Sequence, residues 1–180
     1  MPLFYTGKGD KGTSRVGKKK YSKDSIILET LGDLDELNSF LGLVRSTLQN
    51  KKLAANLEAV QQHLFIIQAQ VAVVMFPKFK SPELKKEKVK WLEREIDVIE
   101  KKIRPERGFI ISGATASSAW LDVSRAIARR AERTVTTFHR TYPLPREIIP
   151  YLNRLSSYLY ALARLESVSR KIREQKPRYR

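Results

Sequence analysis

Apolar side chains recur at intervals of three and four residues through most of this sequence, and such spacing places them along one side of an α-helix. The pattern predicts five helices, over residues 25–48, 51–75, 83–103, 113–140 and 146–174. The connections between them are short, and no strand pattern of any length competes with the helical one. The sequence therefore predicts an all-α fold, a five-helix antiparallel bundle.

The chain has 180 residues, which is enough to bury a core of its own and fits one domain. We expect residues 1–180 to form a single helical-bundle domain, with a Gly-rich N-terminal loop at 1–24, the bundle at 25–175 and a loose tail at 176–180. The sequence contains no cysteine, so disulfides and thiolate metal sites are excluded.

Lysine and arginine outnumber aspartate and glutamate by 35 to 19, which gives a net charge of +16. A surface this basic attracts polyanions such as nucleic acid, anionic lipid or nucleotide phosphates. One hypothesis is therefore a basic helical nucleic-acid-binding protein, although the sequence lacks a recognition motif of that class. No apolar run approaches the ~20 residues that a membrane span needs. No secretory signal follows Met1, so we expect a cytoplasmic protein.

The first 24 residues combine glycines with small polar and basic side chains, as in loops that bind an anion. Gly7, Gly9 and Gly12 can turn backbone N–H groups toward a phosphate. The side chains that would add donors are Thr6, Lys8, Thr13, Ser14 and Lys23. The segment 12–19 approaches a P-loop, but Lys19 stands where that motif needs Ser or Thr, and no strand precedes it. We therefore reject the P-loop fold and predict a phosphate cradle.

The fourth helix carries two stripes of different chemistry. Its apolar stripe is predicted to face the core and comprises Trp120, Val123, Ile127, Ala131, Val135 and Phe138. Its polar stripe comprises Asp122, Arg125, Arg129 and Glu132. Periodicity alone leaves two interpretations of the polar stripe, a solvated face with internal ion pairs or a wall that grips phosphate oxygens. Asp35 flanks the apolar stripe of the first helix and needs a cationic partner if it packs inward, for which Arg125 is a candidate.

The residues offer little for a resident metal. His63 and His139 have no carboxylate at ligand spacing, so both are interpreted as ordinary helix residues. A magnesium ion that arrives with a nucleotide needs only one or two protein oxygens, and Glu132 is a candidate to supply one.

Five segments carry a resemblance to a known family. They are, in chain order, TGKGDKGTS, LGDLDELNSFLG, GFIISG, SRAIARRAER and YLNRLSSYLYALAR. Together they resemble the propanediol-utilisation-type ATP:cob(I)alamin adenosyltransferases, and the resemblance covers essentially the whole chain. It implies a trimer of five-helix bundles with active sites between subunits. The implied reaction transfers the 5′-deoxyadenosyl group of ATP to cob(I)alamin, giving adenosylcobalamin and triphosphate.

The resemblance also implies roles for particular residues. Those that would line the ATP in the N-terminal loop are Thr6, Gly7, Lys8, Gly9, Thr13, Ser14 and Lys23. Those that match family positions holding phosphate, magnesium or nucleotide are Arg129, Arg130, Glu132 and Asn153. Arg125 matches an arginine that pairs across a subunit boundary with an aspartate, here Asp35, and Phe109 matches an aromatic that packs near the corrin. Ser112 and Asp122 depart from the family, which usually has Pro and His at these positions.

The implied substrates and cofactors are ATP, Mg²⁺ and cob(I)alamin. The expected partners are two further copies of the chain, a reductase that supplies Co(I) and a cobalamin-dependent acceptor enzyme. Two alternatives remain at this point: the nucleic-acid-binding protein described above, and a non-catalytic bundle that binds ATP or cobalamin without transferring the adenosyl group.

Overall fold

The computed structural model of the protein describes residues 4–5, 7–16, 19–105 and 108–179. Its five helices are α1 (Ile26–Thr47), α2 (Lys51–Ala72), α3 (Lys86–Ile103), α4 (Ala116–Thr141) and α5 (Ile148–Ser169). The predicted all-α, five-helix bundle is confirmed. None of the helices in the described ranges is long and apolar enough to cross a membrane.

Helix α1 packs against α2 and α4, α4 packs against α5, and α5 packs against α3. Helix α2 runs opposite to α1, because Arg45 contacts Glu58 and Asn38 contacts Gln61. Helix α4 also runs opposite to α1, because Glu36 contacts Arg130 and Asp33 contacts Thr134. We call the end of the bundle at which α1 begins the lower end. The N-terminal segment and the α2–α3 and α4–α5 connections lie there. At the upper end lie the α3–α4 connection (104–115) and the C-terminal tail (170–179).

The apolar faces meet in one continuous core. Its fully buried members include leucines of α1 and α2 and two tyrosines of α5, namely Leu34, Leu37, Leu41, Leu57, Leu64, Tyr151 and Tyr158. Burying one such leucine contributes roughly 1.5–3 kcal/mol. The core therefore fixes the polar faces of α3, α4 and α5 relative to one another.

The apolar stripe predicted for α4 is correct only in its C-terminal half. Val135 and Phe138 are fully buried, but Trp120 and Val123 are 38% and 41% exposed. The upstream buried face is formed instead by Leu121 and by small residues, Ser117, Ser118, Ser124 and Ala128. Small side chains permit close approach of α4 to its neighbours, and serine hydroxyls can bond within the helix, as Ser124 does to the carbonyl oxygen of Trp120 at 2.8 Å.

The prediction that no strand competes with the helices was wrong for the N-terminal segment. Strands β1 (Thr13–Val16) and β2 (Lys19–Ser22) form an antiparallel hairpin in which Thr13 lies opposite Ser22. Val16 and Tyr21 share one face of the hairpin and pack against the helical core. Strands of four residues with so many lysines show no alternation that sequence reasoning can detect, and only packing on the bundle stabilises them.

The C-terminal tail folds back over the upper end. Helix α5 ends at Ser169 rather than near 174, and the chain reverses at Lys171, whose φ is 57°. The backbone N–H of Ile111 then donates to the carbonyl oxygen of Gln175 at 2.8 Å. The tail is thereby joined to the α3–α4 connection.

His63 lies on the buried face of α2 and is 5% exposed. Its Nδ1 lies 2.9 Å from the Tyr151 hydroxyl, and the edge of its ring meets Trp91 at a centroid distance of 5.8 Å. Burial, aided by the positive charge of Lys88, lowers the pKa of His63 to about 4. The fold therefore holds this imidazole neutral.

We predict that His63 makes the protein less stable as the pH falls from about 6.5 towards 4. In that window the unfolded chain takes up a proton that the folded chain excludes, so the free energy of unfolding should fall by up to about 1.4 kcal/mol per pH unit. Urea denaturation at pH 7 and pH 5 measures the difference. The matched variant His63→Gln should lose most of this pH dependence, and an equal dependence in both proteins would contradict the assignment.

Candidate functional site

A groove of about 400 Å³ opens on the surface of α5 between α3 and α4. Three of its lining side chains are arginines, Arg125 and Arg129 from α4 and Arg164 from α5. Arg129 is exposed and Arg125 is half-buried at the groove, whereas Arg164 is only 3% exposed and is ion-paired to Asp122 and Glu174. Guanidinium groups bind phosphate and carboxylate oxygens through paired N–H donors. The groove can therefore accept an anion.

A buried ion pair lies behind the groove. Arg164 Nη2 donates to Asp122 Oδ2 at 2.8 Å, and the two side chains are only 3% and 4% exposed. Asp122 Oδ1 lies 3.8 Å from Arg125 Nε. Asp122 is thus part of the interior, whereas Arg129, a member of the same polar stripe, is exposed. The polar stripe is therefore buried at Asp122 and exposed at Arg129.

Sequence reasoning missed Arg164. The signal was present, because this arginine stands between Ala163 and Leu165 in an apolar stretch of α5 that is buried throughout. An arginine in such a position needs a buried anionic partner.

Glu132 and Asn153, both assigned to the nucleotide site by the family resemblance, lie together on the α4–α5 boundary. The amide of Asn153 donates to Glu132 Oε1 at 2.9 Å, and its oxygen accepts from Arg154 Nη1 at 2.7 Å. Arg154 Nε in turn donates to Glu93 of α3 at 3.0 Å. These bonds fix the Glu132 carboxylate. The described residues include no group of three or more metal-ligating side chains.

Arg130 faces α1 in this chain. Its guanidinium hydrogen-bonds Glu36 and lies 3.6 Å from Asp33. The hydrogen bond with Glu36 raises the pKa of Arg130 above its usual value. Asp35 is exposed on α1. The ATP contact predicted for Arg130 and the pairing predicted for Asp35 with Arg125 stay predictions.

The glycine-rich loop precedes the hairpin at the lower end. Gly7 and Gly12 have φ of 65° and 70°, in the left-handed region that favours glycine. The backbone N–H of Lys23 donates to the carbonyl oxygen of Gly12 at 3.0 Å. A β-carbon added at Gly9 would lie 3.3 Å from Lys23 Nζ. The Lys23 ammonium group therefore lies close to the backbone of Gly9.

The other predicted members of the phosphate cradle lie close by in sequence. Thr13 and Ser14 open β1 and are half-buried, and Lys8 is exposed between Gly7 and Gly9. Thr6 lies outside the described residues.

Phe109 lies in the α3–α4 connection at the upper end and is 78% exposed. Gly108 and Gly113, with φ of 128° and 97°, bracket it. An exposed phenylalanine held between two such turns is suited to contact an apolar ligand surface.

Residues 4–166 match the sequence model of a family described as cobalamin adenosyltransferase. The chain is 35% identical over 166 residues to a corrinoid adenosyltransferase of Bacillus subtilis, covering 90% of this chain and 85% of that protein. It is 34% identical over 172 residues to a corrinoid adenosyltransferase of Citrobacter freundii, covering 94% and 97% of the two chains.

Solved structures give the same result. Two variants of the PduO-type ATP:corrinoid adenosyltransferase from Lactobacillus reuteri, each complexed with cobalamin and ATP, are similar to this fold with TM-scores of 0.89 and 0.90. Both are 30% identical to this chain, and the alignments cover 97% of it and 96% and 99% of theirs. The fold, the arginine-lined groove and the sequence together show that this chain belongs to the cobalamin adenosyltransferase family.

Proposed function

We propose that the protein transfers the 5′-deoxyadenosyl group of ATP to cob(I)alamin, and that the groove between α3, α4 and α5 is the phosphate side of its active site. The observation that carries the proposal is that Arg125 and Arg129 of α4 line one groove, with the Arg129 side chain exposed there. Relatives that share the fold were solved with both substrates bound.

The chemistry needs no general base. Co(I) is the nucleophile: a cobalt–carbon bond forms at C5′ of ATP while the C5′–O bond breaks and the electron pair leaves with triphosphate. The protein must hold the two substrates in line and stabilise the charge of the leaving group. Arginine forks, backbone N–H groups and a divalent cation are suited to that task.

In this proposal the N-terminal loop and polar residues of α4 and α5 bind the nucleotide, while the α3–α4 connection faces the corrin. The loop with Gly7, Gly9 and Gly12, together with Thr6, Lys8, Thr13, Ser14 and Lys23, wraps the nucleotide. Arg129 and Arg130 contact its phosphates, while Glu132 and Asn153 hold magnesium and nucleotide. Phe109 packs near the corrin and keeps water and a lower axial ligand away from cobalt. The reduction of cobalt to Co(I) thereby becomes easier.

The proposal includes a homotrimer with sites between subunits. Asp35 is exposed, although Leu34 and Leu37 beside it on α1 are fully buried, so its carboxylate faces away from its own core. Arg125 is half-buried at the groove with an ion-pair distance of 3.8 Å to Asp122 that leaves room for a stronger partner. Asp35 of a neighbouring copy would be that partner.

We predict that Arg129→Ala abolishes adenosylation. Loss of one guanidinium that contacts the leaving group should lower the turnover rate by about 10²–10³-fold. The rate is measured by the visible spectrum of cobalamin, with chemical reduction of cobalt and ATP in excess. Circular dichroism should remain that of the helical protein, because Arg129 is exposed.

The matched control is Arg140→Ala, which removes an exposed arginine near the end of the same helix. It should retain turnover within about threefold. Full activity in Arg129→Ala, or equal losses in both variants, would contradict the role of Arg129.

We predict that inactive variants complement one another if Asp35 and Arg125 pair between subunits. Asp35→Ala and Arg125→Ala should each lose most activity. Trimers assembled from a mixture of the two chains should recover it at about a quarter of their sites, where both native residues meet. No recovery in mixtures whose trimeric mass is verified by light scattering would show that each chain builds its site alone.

We predict that Glu132→Gln weakens the dependence on magnesium. The amide can still accept from Asn153 but is a poorer ligand for a hard cation. The magnesium concentration that gives half-maximal turnover should rise at least about tenfold, while ATP binding without metal changes little. An unchanged magnesium dependence would remove Glu132 from the metal site.

A further inference from the structure

The strongest unexplained feature of the structure is the second partner of Arg164. Besides the Asp122 hydrogen bond at 2.8 Å, its Nε forms an ion pair with Glu174 Oε1 in the tail at 2.9 Å, although the two groups are not aligned for a hydrogen bond. Arg164 also stacks over Tyr160, with its guanidinium carbon 4.8 Å from the ring centre. One fully enclosed guanidinium thus joins α4, α5 and the tail.

Each partner of Arg164 continues to a different part of the proposed site. On one side, Asp122 lies 3.8 Å from Arg125 at the groove. On the other side, Glu174 adjoins Gln175, whose carbonyl oxygen accepts the hydrogen bond of Ile111 at 2.8 Å. Ile111 is two residues from Phe109 in the α3–α4 connection. The contacts therefore run without a gap from Arg125 to the segment that carries Phe109.

We propose that Arg164 is a positioning residue that fixes the 109–113 segment relative to Arg125, through Glu174 on one side and Asp122 on the other. This inference rests on the proposed function. Neither Arg164 nor Glu174 needs to touch a reacting atom. The contacts of Arg164 with Asp122 and Glu174 hold Phe109, which faces the corrin, at a set distance from the α4 arginines that face the triphosphate. In-line attack on C5′ depends on that distance.

Within the described part of the connection, Ile111 is held to the tail by its hydrogen bond with Gln175. Residues 108–113 form no helix or strand, Phe109 and Ile111 are exposed, and the flanking Gly108 and Gly113 permit many backbone conformations. The tail carries the hydrogen bond to Ile111, and the ion pair of Glu174 with an enclosed arginine holds the tail. Because Arg164 is buried, it cannot exchange Glu174 for water without cost.

The test uses Glu174→Gln, which keeps the shape of the side chain and removes its charge. Glu174 lies outside all five helices, so the bundle should still fold. We expect kcat/KM for cob(I)alamin to fall about tenfold while the Kd for ATP stays within about twofold. The backbone N–H of Ile111 should exchange with deuterium faster. Glu174→Asp, which keeps the charge, should recover part of the loss.

The matched control is Arg170→Ala, which breaks the ion pair of the exposed Arg170 with Glu166 (3.7 Å) at the same end of the bundle. It should leave kcat/KM for both substrates and the Ile111 exchange rate unchanged. A purely structural role for Glu174 would instead lower the unfolding midpoint and reduce the parameters for ATP and corrinoid in parallel.

The outcomes separate the two proposals. If the unmodified protein is active and Glu174→Gln matches it for cob(I)alamin, the positioning role is wrong and the proposed function stands. If both substrates are affected equally, the positioning role is also wrong. If the unmodified protein forms no adenosylcobalamin, the proposed function fails and the inference fails with it.

Discussion

The structure depends on a buried ion pair, Asp122 with Arg164, that joins α4 to α5. Removing two charges from water costs several kcal/mol per ion, so such a pair persists only with close geometry and further polar contacts. Here the geometry is a 2.8 Å hydrogen bond, and the further contact is Glu174 at 2.9 Å. The pair fixes α4 against α5 because each charge has few alternative partners in the interior.

That register places the polar faces on which function depends. With Asp122 opposite Arg164 in antiparallel helices, Glu132 comes opposite Asn153 lower on the same boundary, at 2.9 Å. Arg125 and Arg129 then fall on the edge of the groove between these two contacts. Of these two arginines, Arg129 is exposed and can contact an anion in the groove.

The fold could be predicted because helical periodicity reports burial directly. The five helices lie where apolar spacing placed them, with ends shifted by a few residues. Two features could not be read from periodicity. The hairpin consists of strands too short to show alternation, and its pairing depends on Val16 and Tyr21 meeting a core that other segments build. The burial of Asp122 depends on a residue 42 positions away.

The candidate site residues were named from the family resemblance and from residue types rather than from periodicity. Glu132 and Asn153 were named from motifs and lie together, and Gly9 and Lys23 meet in the N-terminal loop. Arg164 was missed because a single arginine in an apolar helix has no periodic pattern. The engagement of Arg130 by Glu36 was missed because charge pairing between helices cannot be deduced from either helix alone.

Whether the protein catalyses adenosyl transfer, rather than only binding the two substrates, is tested most directly by measuring both products. The purified protein is mixed with chemically reduced cobalamin, ATP and Mg²⁺, and adenosylcobalamin and triphosphate are quantified together. The account predicts that both products form in equal amounts over many turnovers and that neither forms without ATP. Binding of ATP and cobalamin with no product, or release of phosphate without a cobalt–carbon bond, would contradict it.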